Sequence, residues 1–330
     1  MTVALVFSPN LGPSYPNNAQ TFSKAQIRQT PILAREPGQK SSRSRTGAVA
    51  ALKIENNPTG VTTLQQTRRA EDKNIQTVFS EVLRHADRAG YASASSIESD
   101  QPLDILVQES WNSWYQVERL GRYRSPEAPQ DLGESFGGIL QKAYDANAYV
   151  DPKSFLKGLS ASELKSVQNT HWLADPINVD SLTEEGALNL LIPSAAQVDL
   201  NHDGLTQSGL SYGIRFPDSL TPPDVAAAWE EVTDGMAPME VALFELRMKL
   251  PVLTSNIVLD ADGRFLHQRS PGDPDFVNPM NAEDYSFIQV TKDWIGHLEY
   301  LKNQIEPERF ARDMDFWQRF QGSLQRHGAT

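Results

Sequence analysis

From residue 68 onward the chain repeats one pattern: a helix-opening residue, a stripe of apolar side chains three and four positions apart, and a stop signal. That period puts the apolar groups on one face of an α-helix, which must then be covered by another element. Ile75, Val78, Phe79, Val82, Leu83 and Ala86 share such a face, with Gly90 placed to end the helix. Asp100 and Pro102 open a second helix, whose face is Leu103, Leu106, Val107, Trp111, Trp114 and Val117; the Trp pair is read as packing. Ser135 is expected to N-cap a third, carrying Phe136, Ile139, Leu140, Ala143 and Tyr144. Asp151-Pro152 starts a short helix, and Ser160 with Glu163 and Ser181 with Glu184 have the spacing of capping boxes. Pro223 and Pro238 open two more, and two long helices close the chain, over 284–302 and 308–325. The expected fold is mainly α, a multi-helix globular body with one small β-hairpin at 256–268, where apolar residues flank Asp262-Gly263. Residues 209–216 read as irregular or extended chain.

Residues 1–67 break the pattern, being rich in Ser, Thr, Asn, Gln, Pro and Arg with apolar groups at no fixed period. Such a segment buries too little apolar surface to offset an ordering cost of about 1–2 kcal/mol per residue. It is expected to be a disordered basic arm joined to an α-helical domain at 68–330. Charge follows the same division, with 12 Lys/Arg against 6 Asp/Glu in residues 1–90 and 18 against 36 in residues 91–330. The acidic body repels phosphate backbones, so nucleic acid is not an expected partner. Neither a membrane span nor a Sec-type leader is expected, because no apolar run approaches about 18 residues and residues 1–8 lack a basic start. The compartment stays open between the cytoplasm and export by a non-Sec route. The absence of cysteine excludes disulfides, thiol nucleophiles and thiolate-held metals.

Asp199-Leu200-Asn201-His202-Asp203-Gly204 carries the most specific chemical signal. Oxygen-bearing side chains at alternate positions, followed by a glycine that permits a sharp turn, resemble the first half of an EF-hand calcium loop. The resemblance covers residues 199–210 and implies Asp199, Asn201, Asp203, the Leu205 carbonyl and Gln207 as ligands. It fails at the twelfth position, where Leu210 replaces the bidentate glutamate, and at the glycine-containing exit, which is a poor helix sequence. Asp218, Asp224 or Glu230 is the expected outside source of the missing carboxylate. With two carboxylates and one amide, such a site binds calcium weakly, on the order of 10⁻⁴–10⁻³ M. The competing reading is a metal-free turn in which Asp199 and Asn201 bond to their own backbone.

Other motifs are weaker. Gly133-Glu134-Ser135-Phe136-Gly137 has the form of a nucleophile elbow, with Asp203 or Asp262 and His267 as the only partners in the required chain order. Its preceding residues, 125–132, cannot be a buried strand. Asp260-Ala261-Asp262-Gly263 is read as the hairpin turn, the Glu184-Glu185 and Glu230-Glu231 pairs as solvated faces, and His202 as exposed. Phe310, Phe316, Trp317 and Phe320 on the last helix fit core packing or a partner groove. The leading expectation is a non-catalytic calcium-binding or interaction protein that meets a partner through its arm or C-terminal helix. The alternatives are a hydrolase using Ser135 or a metal-assisted water, and an accessory or substrate of a non-Sec secretion system.

Overall fold

The computed structural model describes residues 58–123 and 131–329. Within them the fold is mainly α. The first group of helices is α1 (Pro58–His85), α2 (Leu103–Glu118), α3 (Leu132–Asp145), α4 (Pro152–Gly158), α5 (Ala161–Thr170) and α6 (Glu184–Asn189). A two-stranded sheet, β1 (Thr206–Ser208) with β2 (Ser211–Gly213), separates these from α7 (Pro223–Thr233) and α8 (Pro238–Thr254). The second sheet, β3 (Ile257–Leu259) with β4 (Phe265–Gln268), precedes α9 (Phe287–Leu301) and α10 (Pro307–His327).

Helix α1 starts at Pro58, within the expected arm, and residues 1–57 lie outside the described residues. The expected apolar face of α1 is buried from Ile75 to Ala86. Its end precedes Gly90, at His85, with Asp87 taking a left-handed φ of 55°.

The capping signals divide. Asp151 accepts the Ser154 N–H, and Ser160 with Glu163 forms the full reciprocal box. Thr183, not Ser181, caps α6 by accepting the Gly186 N–H at 2.9 Å. Ser135 is likewise not a cap: it lies inside α3, where its Oγ donates to the Asp131 carbonyl at 3.0 Å.

Two apolar cores result. The first joins α1–α6 around Phe79, Trp111, Trp114, Phe136 and Tyr149. Each indole N–H is satisfied, Trp111 by the Gly133 carbonyl and Trp114 by an Asp72 carboxylate oxygen, both at 2.7 Å. The second core packs Phe216 and α7–α10 around Trp229, Phe244, Phe316, Trp317 and Phe320. Trp317 and Phe320 are fully buried and Phe316 nearly so, so these three side chains of α10 face the core, with Phe310 partly buried beside them. Full burial of such side chains contributes about 1.5–3 kcal/mol apiece. A small third cluster of Leu205, Ile214 and Val252 lies beneath the β1–β2 hairpin. The chain therefore passes from the first core to the rest of the body through residues 199–205.

Candidate functional site

The loop between the cores is built from its own side chains. Asp199 accepts the N–H groups of Asp203 (3.1 Å) and Gly204 (2.7 Å) through different oxygens. Asn201 accepts the same Asp203 N–H at 2.9 Å, and Asp203 accepts the Leu205 N–H at 2.8 Å. The Asn201 and Asp203 bonds are consecutive Asx turns, and the longer-range Asp199 bonds close the loop around them. His202 and Gly204 complete the curl with φ of 62° and 87°. A β-carbon at Gly204 would also stand 2.9 Å from the Asn278 amide nitrogen.

Glu185 closes the loop from outside. This residue of α6 is 3% exposed and accepts three backbone N–H groups: Gln207 at 2.6 Å on one oxygen, Leu200 at 3.0 Å and Asn201 at 3.2 Å on the other. The glutamate pair at 184–185 is therefore not a solvated face, since only Glu184 is exposed. Nor does the outside carboxylate come from the expected positions. Asp218 forms a buried ion pair with Lys249, Glu230 pairs with Lys73, and Asp224 makes no contact with the loop carboxylates but lines a neighbouring cavity with Asp218, Asn278 and Asn281. The sequence did carry a signal for Glu185: it stands three residues before the buried Leu188, on the inward face of α6.

Further bonds tie the loop to both cores. Asn189 brackets its base, donating to the Val198 and Gln207 carbonyls at 2.7 Å and accepting the Val198 N–H at 2.9 Å. The Asp199 N–H donates to Ser219 Oγ at 2.9 Å. From the far side, the Asn278 and Asn281 side chains both donate to the His202 carbonyl, at 3.0 and 2.6 Å. Gly186 permits close approach of the β1–β2 turn, because a β-carbon there would fall 2.2 Å from the Gly209 carbonyl oxygen.

Of the five expected ligand residues, Asp199, Asn201 and Asp203 come together. Gln207 turns away, its side-chain oxygen accepting the Thr183 hydroxyl at 2.5 Å. The Leu205 side chain is buried in the small cluster under the hairpin. Leu210 projects into solvent, and the loop leaves into β1, not into a helix. Among the described residues no set of three or more His, Asp or Glu side chains stands ready to coordinate a metal, since the loop carboxylates are engaged with backbone N–H groups.

Gathering these acids has an electrostatic cost. Burial, opposed by the backbone N–H bonds and reinforced by Asp199 and Asp203, pushes Glu185 up to about 8. Burial and the neighbouring Asp203 push Asp199 up to about 7. Asp203 is also raised, again chiefly by desolvation. Lys249 offsets the effect on both aspartates only in part.

The elbow-like Ser135 is differently placed. The depression around it is lined by Asp131, Glu134, Gly138, Ile139, Lys142 and Glu163 and holds no histidine, while His267 lies on β4 of the exposed hairpin. The Ser135 hydroxyl donates instead to the backbone carbonyl of Asp131 at the start of its own helix, so the Ser–Asp–His order expected from the elbow motif is not assembled around it. Asp260 and Asp262 form the expected hairpin turn, with Asp260 accepting the N–H groups of Asp262 and Arg264, both at 2.9 Å. Among the described residues no helix is long and apolar enough to cross a membrane. No protein-family model matches the chain, and no curated protein or solved structure is significantly similar to it.

Proposed function

We propose that this chain is a non-catalytic, calcium-responsive binding protein in which the 199–204 loop and Glu185 staple the two helical cores. The observation that carries this reading is the convergence of Asp199 and Asp203 of the loop with Glu185 of α6, bound through neighbouring backbone N–H groups, where Asp203 raises the ionisation cost of Asp199 and both aspartates raise that of Glu185. A hard divalent cation with oxygen ligands relieves that cost directly. Glu185 takes the place of the carboxylate that Leu210 does not supply. Binding then requires Asp203 to release the Asn201 amide, now donating to it at 3.1 Å. That exchange and the missing exit helix favour a weak stabilising site over a high-affinity sensor.

Calcium titration of the chelator-treated full-length protein, followed by thermal unfolding, tests this. At a dissociation constant of about 10⁻⁴–10⁻³ M, 5 mM calcium stabilises by roughly 1–2 kcal/mol, equivalent to about 2–5 °C in Tm. The Asp199→Ala, Asp203→Ala double variant should lose the shift. No calcium-dependent shift in the parent chain at that concentration refutes the proposal.

A further inference from the structure

Two stretches of chain broken by prolines meet beside the 199–204 loop and enclose a hollow. In the first, Pro222-Pro223 ends the segment after β2 and opens α7. In the second, Pro279 opens a short 3₁₀ turn (Pro279–Asn281), and Ser286 then caps α9 by accepting the Gln289 N–H at 3.2 Å. Between them lies a cavity of about 220 Å³, lined from residues 218–225 and 278–287. A cavity of ~150 Å³ holds benzene, so this one has room for a molecule of about six to nine non-hydrogen atoms. Tyr285 and Phe287 form an aromatic wall, meeting edge to face at 5.1 Å between ring centres, and Val225 and Met280 add aliphatic surface.

The polar groups left over in this lining are acceptors. Asp218 is engaged with Lys249 and with Thr221, whose hydroxyl donates to it at 2.7 Å. The amide nitrogens of Asn278 and Asn281 are committed to the His202 carbonyl. One Asp224 carboxylate oxygen accepts the Val225 N–H at 3.0 Å; the other is open, and among the described residues Asp224 forms no ion pair. The Asn281 side-chain carbonyl accepts no hydrogen bond from the described residues, and the buried Tyr285 hydroxyl has no partner. No Lys, Arg or His side chain lines the cavity, and Asp224, in the first turn of α7, already complements the positive end of that helix. The charge balance therefore favours a positive guest, which the neighbouring ring faces also attract.

We propose that this cavity binds a small primary alkylammonium compound, its N–H groups directed to the Asp224 carboxylate, the Asn281 carbonyl and the Tyr285 hydroxyl, and its stem laid against Val225, Met280 and Phe287. An ammonium group carries three donors and no acceptor, which matches that set. An anion would face an unpaired carboxylate, and a neutral alcohol brings a single donor and no charge. Binding needs no calcium and is measured in chelator, so its outcome is separate from the response of the loop to metal. Pentylammonium, 1-pentanol and butanoate, probes of similar size, are titrated into the isotope-labelled full-length protein while the backbone amides of residues 220–225 and 278–287 are followed by NMR. Pentylammonium should shift those amides saturably in the millimolar range, about tenfold more tightly than pentanol. Asp224→Asn, which keeps the acceptor for the Val225 N–H, should remove that preference, and Tyr285→Phe should weaken pentylammonium about threefold, with the rest of the amide spectrum unchanged in both variants. No saturable shift at these residues, equal affinity for pentanol, tighter binding of butanoate, or undiminished affinity in Asp224→Asn would overturn the proposal.

Discussion

Truncating Glu185 to alanine removes the acceptor of three backbone N–H groups at once, and the cost can be set against its neighbour in sequence. The Gln207 N–H is buried, and without a partner its desolvation costs about 1–3 kcal/mol. The Leu200 and Asn201 N–H groups are only partly buried, so water recovers part of each bond, leaving about 1 kcal/mol apiece. The opposing gain, relief of a buried negative charge, is small below pH 7, because a carboxyl pushed up to about 8 is then largely neutral. Glu185→Ala should therefore destabilise the calcium-free protein by roughly 3–5 kcal/mol at pH 6. Glu184→Ala breaks only an exposed ion pair with Arg88 and should cost at most about 1 kcal/mol. Urea unfolding of both variants at pH 6 in chelator measures the contrast, which for a slope of about 2–3 kcal/mol/M is a midpoint difference of about 1–2 M. If the two variants unfold within about 0.5 kcal/mol of each other, Glu185 does not organise the loop and the account of the staple is wrong.

The buried acids and His171 make opposite pH predictions. Glu185 and Asp199 hold protons more tightly folded than unfolded, so their contribution is complete below about pH 4 and is lost as pH rises through about 7–8. His171, half-buried between the Leu190 carbonyl and Gln197, is pushed down to about 3 chiefly by desolvation; its contribution is complete above about 6.5 and lost as pH falls. Calcium-free Tm should decline from about pH 6.5 to 8, and Asp199→Asn should flatten that decline; a parent Tm still rising over this interval contradicts the assignment. Lys249→Met leaves the Asp218 carboxylate buried without its counter-charge and should cost about 3–5 kcal/mol in urea unfolding, partly recovered by adding Asp218→Asn; full stability in the single variant would mean that the pair is not buried. Gly186→Ala forces α6 away from the Gly209 carbonyl and should cost about 1–3 kcal/mol, measured in the same way, with an unaltered midpoint counting against the close packing.

The helices were legible because their signals are local. The apolar stripe of α1, the Trp111–Trp114 face of α2 and the Ser160–Glu163 box lie within a few turns of chain, and period and capping chemistry act over that distance. The β3–β4 hairpin was legible for the same reason, since its turn residues sit between the strands they reverse. The β1–β2 sheet was not: its strands are three residues each, too short for alternation to register, and Gly186 of a distant helix holds their turn through the Gly209 N–H at 2.9 Å.

The candidate site divides along the same line. Sequence alone offered a turn in which Asp199 and Asn201 bond to their own backbone ahead of Gly204, because an Asx turn such as that of Asn201 requires only a side-chain oxygen and an N–H two residues ahead. It also determined that Leu210 denies the loop its usual closing carboxylate. Tertiary structure alone decided that Glu185 closes the loop by accepting three backbone N–H groups, that Gln207 turns to Thr183, and that Asp218 is claimed by Lys249. Burial and long-range hydrogen bonding made those choices. A charged residue written into a helix looks solvated until the opposite wall of the core is known, and neither Glu185 nor Lys249 has that wall within its own stretch of chain.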